Sequence, residues 1–201
     1  MRGNLADEVR RLKPAGAVLP SIILMTDSVR LPDPCAAARQ LTPGSAVILR
    51  HYDVPGRAAL AHELARICRR ARVRLLIGGD WRLALAVGAD GVHLPESMVW
   101  GRAWGRKPQF LVTAAAHSEV AIRRAARIGV DAVLLSPVFP TASHPGANAL
   151  GPLRFAMWCQ NSPVPIYALG GIDAKTVRRL KGSGFTGIAA IGALAGVGTT
   201  L

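Results

Sequence analysis

No apolar run in this chain reaches the eighteen or so residues that a membrane span needs, although half of its 201 residues are hydrophobic. The first thirteen residues carry Arg2, Asp7, Glu8, Arg10, Arg11 and Lys13 and lack the apolar core of a signal peptide. A cytoplasmic protein without a membrane partner is expected. Cysteine is scarce too: Cys35, Cys68 and Cys159 lie far apart, with no CxxC pair. Neither a zinc site nor a disulfide framework is indicated, and buried thiols are the default expectation. Acidic residues are few, 12 against 25 lysines and arginines, for a net charge of +13. The basic clusters (Arg66/Arg69/Arg70/Arg72/Arg74, Arg123/Arg124/Arg127, Arg178/Arg179/Lys181) fall in helix-like segments, where a solvated outer face explains them. No recognition helix or aromatic-basic interleaving accompanies the charge, so nucleic acid is not an expected partner. A positive field does draw in phosphorylated small molecules.

What is present is a regular alternation. Short apolar runs at Ile22–Thr26, Ala46–Arg50, Val73–Ile77, Gly91–Leu94, Phe110–Ala114, Ala132–Ser136, Pro165–Leu169 and Gly187–Ile191 read as eight strands. Near-continuous apolar strands are buried on both faces, the mark of a parallel sheet. Between them run amphipathic segments. Arg57–Ala71 turns Leu60, Leu64, Ile67 and Cys68 to one side; Ser118–Ile128 turns Val120, Ala121, Ala125 and Ile128 inward; Ala174–Lys181 pairs Val177 with Leu180. The junctions Val87-Gly88-Ala89-Asp90-Gly91, Ile128-Gly129-Val130-Asp131-Ala132 and Ser183-Gly184-Phe185-Thr186-Gly187 repeat one device, a glycine cap before a strand. The order predicts an α/β protein, a (β/α)8 TIM barrel, as a single domain over residues 1–201. An open doubly wound sheet is the rival, weakened by the lack of G-x-G-x-x-G after the first strand. Ala195-Gly196-Val197-Gly198-Thr199 is a poor helix former, so the eighth helix is expected to be missing or truncated. A short helix over Asn4–Lys13 would cover part of the exposed wall; a partner subunit, making a homodimer, is the alternative cover.

In a barrel, chemistry gathers where strands end. The stretch Ser136–Gly151 follows the sixth strand as a stiff loop with three prolines and several donors, and it precedes Pro152 at a helix start. Gly170-Gly171 after the seventh strand and Gly192 after the eighth allow backbone N–H groups to approach a phosphate, though Gly-Gly also suits a tight turn. Arg50 on an apolar strand demands an anion, either a substrate phosphate or a carboxylate such as Asp27 or Asp80. His117, after three alanines at the end of the fifth strand, is a candidate acid/base, or else a residue at a helix start near a serine cap. His93 reads as a satisfied core histidine, and His51 is unassigned. Trp100 and Trp104 mark either a partner surface or a hydrophobic cap on the fourth helix.

Thr26-Asp27, Ala86-Val87-Gly88-Ala89-Asp90-Gly91-Val92-His93-Leu94, Ser136-Pro137-Val138-Phe139-Pro140-Thr141 and Ala168-Leu169-Gly170-Gly171-Ile172 together resemble the thiamine phosphate synthase/TenI superfamily, from about Ile22 to Leu194. The resemblance implies a (β/α)8 barrel acting on a thiazole phosphate. Synthases join it to hydroxymethylpyrimidine diphosphate; TenI-type members aromatise a thiazole phosphate carboxylate by proton transfer without a metal. By resemblance, Arg50, Thr141, Ser143, His144, Gly170, Gly171, Ile191 and Gly192 contact substrate phosphates, and His117 is the acid/base. The chain departs from the synthase pattern at several places. Tyr52 and His144 stand where lysines are expected. Gly78-Gly79 replaces Asn-Asp after the third strand, and Pro95-Glu96-Ser97-Met98 replaces the acid-bearing loop after the fourth. The departures predict a metal-independent thiazole tautomerase with no cofactor. The alternatives are a synthase with a rearranged Mg²⁺ site, the one reading that brings in magnesium, and a non-catalytic phosphate-ligand-binding regulatory barrel.

Overall fold

The computed structural model describes residues 5–12, 19–100, 109–141, 146, 148–191 and 194. Eight parallel strands, β1 (Ile22–Met25), β2 (Ala46–Leu49), β3 (Arg74–Gly78), β4 (Gly91–Leu94), β5 (Leu111–Ala116), β6 (Ala132–Leu135), β7 (Ile166–Leu169) and β8 (Gly187–Ala190), close into a barrel in chain order. The predicted strands are all present, with ends shifted by one or two residues. β5 runs two residues further than expected, which brings His117 directly to its end. The helices are α1 (Leu5–Leu12), α2 (Pro34–Arg39), α3 (Arg57–Ala71), α4 (Trp81–Ala86), α5 (Glu119–Arg127) and α6 (Gly151–Gln160).

Two buried layers follow from the two faces of each strand. Inside the barrel Ile23, Met25, Ala46, Ile48, Leu76, Leu111, Ala132, Leu134, Tyr167, Ala189 and Ile191 form one cluster. The opposite strand faces pack outward against the helices, with Leu64, Ile67, Cys68, Ile122, Ala125 and Phe155 among the helical contributions. Two glycines make the inner layer possible. A Cβ on Gly187 would stand 2.4 Å from the Ser21 carbonyl oxygen and 2.8 Å from the Tyr167 ring; one on Gly91 would stand 2.1 Å from the Leu111 carbonyl oxygen. Tyr167 is fully buried and donates its hydroxyl to the Pro20 carbonyl at 2.5 Å.

The repeated glycine junctions acquire a physical reason. Gly88 and Gly129 sit at φ +64° and +79° after their helices. The aspartate two residues on then reaches back across the sheet: Asp90 accepts the Leu75 N–H and Asp131 the Val112 N–H, both at 2.8 Å. Each carboxylate thus satisfies a donor at the entry of the preceding strand.

Three expectations are corrected. The segment after β7 is a 3₁₀ turn over Val177–Leu180, not an α-helix, although both named side chains are buried. Val120 is 66% exposed, because α5 buries Ala121, Ile122 and Ala125 instead. Cys159 is half-buried, whereas Cys35 and Cys68 are buried. The expected N-terminal helix is present as α1, buries Leu5, Ala6 and Val9, and is tied to the turn after β7 by Arg178 donating to Glu8 at 2.6 Å. The segment expected to lack an eighth helix lies outside the described residues.

Two outcomes check this architecture. Gly187→Ala should destabilise by about 3 kcal/mol, the upper end of core overpacking, because the added methyl meets backbone; urea unfolding with an unchanged midpoint would contradict it. Asp27 accepts from the Arg30 side chain at 2.8 Å and from the backbone N–H groups of Arg30 and Val29. The Arg30 bond, with the backbone bonds behind it, lowers the carboxyl from 3.8 to about 2. A depressed carboxylate contributes stability that is full above its unfolded value and is lost as pH falls through the folded one. Asp27→Asn should therefore flatten the loss of stability between about pH 4 and pH 2 in acid titrations of the unfolding midpoint.

Candidate active site

The inward alternation along the strands continues past their C-terminal ends. On β2 it runs Ala46, Ile48 and then Arg50; on β6 it runs Ala132, Leu134 and then Ser136. Arg50 and Ser136 therefore enter the mouth from opposite sides, above the inner cluster, with His93 from β4 between them in the wall.

On one side, β4 to β7 build a continuous hydrogen-bonded arc around His117. The β5–β6 register sets Ala116 beside Leu135, and the Ser136 N–H bonds the Ala116 carbonyl at 3.1 Å. That register brings Nδ1 of His117 to 3.0 Å from the Ser136 carbonyl oxygen and 3.2 Å from Ser136 Oγ. A carbonyl can only accept, so the contact with the Ser136 carbonyl requires the hydrogen on Nδ1, and in that tautomer Nε2 holds the basic lone pair. The His117 backbone is held as well: its N–H donates to Glu96 Oε2 at 2.8 Å, from the 3₁₀ turn Glu96–Met98 after β4. Glu96 is itself anchored, since Arg124 of α5 donates to its other oxygen at 3.2 Å and stacks on Trp100 at 4.5 Å. Ser118 caps α5 by accepting the Ala121 N–H at 3.1 Å, so the histidine stands just outside the helix.

The arc continues through the loop after β6. Val138 and Phe139 donate to the carbonyls of Leu169 and Gly170 at 2.9 and 3.0 Å, extending the sheet beyond β7. Gly170 and Gly171 have φ of +90° and +65°, and a Cβ on either would stand within 3.0 Å of Pro137, Phe139 or Pro140 atoms. The glycine pair is thus demanded by close passage of this loop. It also leaves the N–H groups of Gly171 and Ile172 without a hydrogen bond to any described residue. Thr141 is half-buried in the loop, and Ile191 is buried at the end of β8. Ser143, His144 and Gly192 lie outside the described residues, as does Trp104.

On the other side, β2 and β3 form a polar corner. Thr26 Oγ1 accepts the Arg50 N–H at 2.9 Å and is fully buried, so its own hydrogen goes to Nδ1 of His51, 2.8 Å away. Burial lowers His51 below the ordinary histidine value; the Asp27 charge opposes it, and the smaller contributions of Arg57 and Arg50 add to it. His93 bonds Thr113 Oγ1 at 2.9 Å; burial and the Arg50 charge push its pKa down to about 3. It is a neutral, satisfied core histidine at physiological pH. Neither expected carboxylate meets Arg50: Asp27 pairs with Arg30 at 2.8 Å and Asp80 lies 3.5 Å from Arg57. The Arg50 side chain instead lies against the Tyr52 hydroxyl, with no carboxylate partner among the described residues.

The donors at this corner do not fit the magnesium that a synthase reading requires. Mg²⁺ takes hard oxygen ligands, commonly one or two carboxylates beside substrate phosphates. Gly78 and Gly79 offer no side chain. Asp80 is committed, capping α4 through the Leu83 N–H at 2.9 Å and pairing with Arg57. Glu96 is committed to the His117 N–H and Arg124. Among the described residues no group of three His, Cys, Asp or Glu side chains could hold a metal ion.

Sequence reasoning missed three participants: the Ser136 carbonyl, Glu96 as the clamp on His117, and Arg57. An acid two residues past a strand next to the histidine's own strand was a usable signal for Glu96. Nothing in the sequence pointed to Arg57.

Comparison with known proteins now bears on the arrangement. A family model described as thiamine monophosphate synthase matches residues 24–194. Thiamine-phosphate synthase of Methanoculleus marisnigri is 35% identical over 175 residues, covering 80% of each chain. That of Geobacillus thermodenitrificans is 36% identical over 141 residues, 68% of this chain and 63% of the relative. The solved thiamine phosphate pyrophosphorylase from Pyrococcus furiosus shares the fold, with a TM-score of 0.72, 24% identity and 88% coverage of both chains. A match spanning β1 to β8, with relatives above 30% identity, settles the lineage: the chain belongs to the thiamine monophosphate synthase family, whose members are enzymes of the thiamine pathway.

Proposed function

We propose that this enzyme is a metal-independent isomerase acting on a thiazole phosphate that carries a carboxylate, with His117 as the single acid/base. The observation that carries the reading is the 3.0 Å contact of His117 Nδ1 with the Ser136 carbonyl, which calls for a hydrogen on Nδ1 and leaves Nε2 to take a proton from one carbon and return it at another. The imidazolium formed between the two steps keeps the same Ser136 contact, so the ring need not turn. Backbone N–H groups at Gly171 and Ile172, with those after β8 at Ile191 and Gly192, would hold the phosphate, and Thr141, Ser143 and His144 would close over it. Arg50, lacking a carboxylate of its own, would meet the substrate's second anionic group. The whole chain, residues 1–201, would act as one barrel domain in the cytoplasm.

The names of the relatives favour a second reading, a thiamine phosphate synthase that joins hydroxymethylpyrimidine diphosphate to thiazole phosphate. The carboxylates at β3 and β4 argue against it, since each is already committed within the protein.

The two readings separate in one assay. Purified protein in excess chelator should isomerise the thiazole phosphate carboxylate. His117→Ala should lower that rate by about 10²- to 10⁴-fold, the usual worth of a positioned acid/base, while substrate binding persists. Thiamine phosphate formation from both synthase substrates, abolished by chelator, would overturn the proposal. So would isomerisation that survives in His117→Ala, or ligand binding without either reaction.

A further inference from the structure

The β2–β3 corner is closed by side chains of this chain, and the closure has a consequence for what the mouth can accept. Tyr52, three residues past β2, lays its ring over the backbone of Gly78 and Gly79. A Cβ on Gly78 would stand 2.9 Å from the Leu49 carbonyl oxygen, 3.0 Å from the Tyr52 hydroxyl and 3.1 Å from its ring. Gly79 lies at φ +68°, and its Cβ would meet the same ring at 3.3 Å and Met98 Sδ at 3.5 Å. A side chain at 78 would therefore press on the Leu49 backbone and crowd the tyrosine ring, and a side chain at 79 would be both strained and crowded. Arg57 holds the ring. The Arg57 guanidinium lies over it at 5.7 Å while donating to the Gly78 carbonyl at 2.6 Å and pairing with Asp80 at 3.5 Å. Arg50 lies against its hydroxyl.

Charge bookkeeping at this corner is equally restrictive. Arg57 is consumed by Gly78, Asp80 and the ring, and its Nε is buried without a partner. Arg50 has no carboxylate partner among the described residues. Burial raises the Tyr52 hydroxyl above its ordinary value, so the ring offers no anionic oxygen to a cation. A divalent cation at Gly78 and Gly79 would meet two arginines, and the adjoining Asp80 already pairs with Arg57. A diphosphate without its metal would find a single cation for several negative charges.

We propose that Tyr52 is a specificity-determining residue, a plug held by Arg57 that closes the β2–β3 corner to diphosphates and restricts the mouth to ligands bearing isolated anionic groups. The plug acts on binding and does not require the isomerase reading to hold.

Titration calorimetry with inorganic phosphate and with pyrophosphate, each with and without Mg²⁺, tests this on the full chain. The wild type should bind pyrophosphate no better than phosphate, and added Mg²⁺ should not improve it. Tyr52→Ala should gain at least tenfold in pyrophosphate affinity with its phosphate affinity changed less than twofold. Tyr52→Phe, which keeps the ring, should show no gain, and Tyr52→Ser provides a second small side chain if the alanine variant folds poorly. Wild-type binding of Mg²⁺-pyrophosphate tenfold tighter than phosphate would overturn the proposal. So would folded Tyr52→Ala and Tyr52→Ser proteins with the wild-type preference.

Discussion

The hydrogen bond from His117 Nδ1 to the Ser136 carbonyl is the contact on which the rest of the site depends. It exists because β5 and β6 pair in one register, with Ala116 beside Leu135 and the Ser136 N–H on the Ala116 carbonyl. A shift of one residue would turn both side chains to the other face of the sheet. The register is in turn guarded by barrel closure: each strand is bonded on both edges, so none can slip alone. Leu111, Leu134 and Tyr167 fill the interior below, and Gly91 and Gly187 make room for Leu111 and Tyr167. Packing at the bottom of the barrel thereby fixes the nitrogen at its top.

Around that contact the mouth divides into two halves with different physics. From β4 to β7 it is built of backbone: Glu96 on an N–H, Ser136 through its carbonyl, and a loop zipped to Leu169 and Gly170. Such a wall offers fixed donors and acceptors at little reorganisation cost, which suits proton transfer beside a bound phosphate. From β2 to β3 it is built of charged and aromatic side chains, with Arg57 set over the Tyr52 ring and paired with Asp80, and Arg50 without a carboxylate partner among the described residues. Under the proposed function the first half would act on a ligand and the second would limit which ligand enters.

Much of the barrel was legible because each strand is a continuous apolar run, and continuous runs occur where both faces are buried. The segment after β7 was misread because Val177 and Leu180, three apart, serve a 3₁₀ turn as well as an α-helix. Val120 was misplaced because a nine-residue helix carries too few apolar positions to define its inward face. In the site, His117 was legible from its place at a strand end, and the glycine pair from its position after β7. The partner of His117 was not, because a backbone carbonyl has no signature and its approach depends on strand register. Tyr52 showed only as a departure from the family pattern. Its place over Gly78 and Gly79 is set by how β2 and β3 lie side by side in three dimensions.

The central claim is the tautomer of His117, and nitrogen NMR of the imidazole reads it directly. With the protein labelled at its histidine ring nitrogens, and the His117 signals assigned by their loss in His117→Gln, the account predicts a neutral ring protonated at Nδ1 with a pyridine-like Nε2. A neutral His117 protonated at Nε2 would contradict the account, since its basic nitrogen would then face the Ser136 carbonyl instead of the substrate.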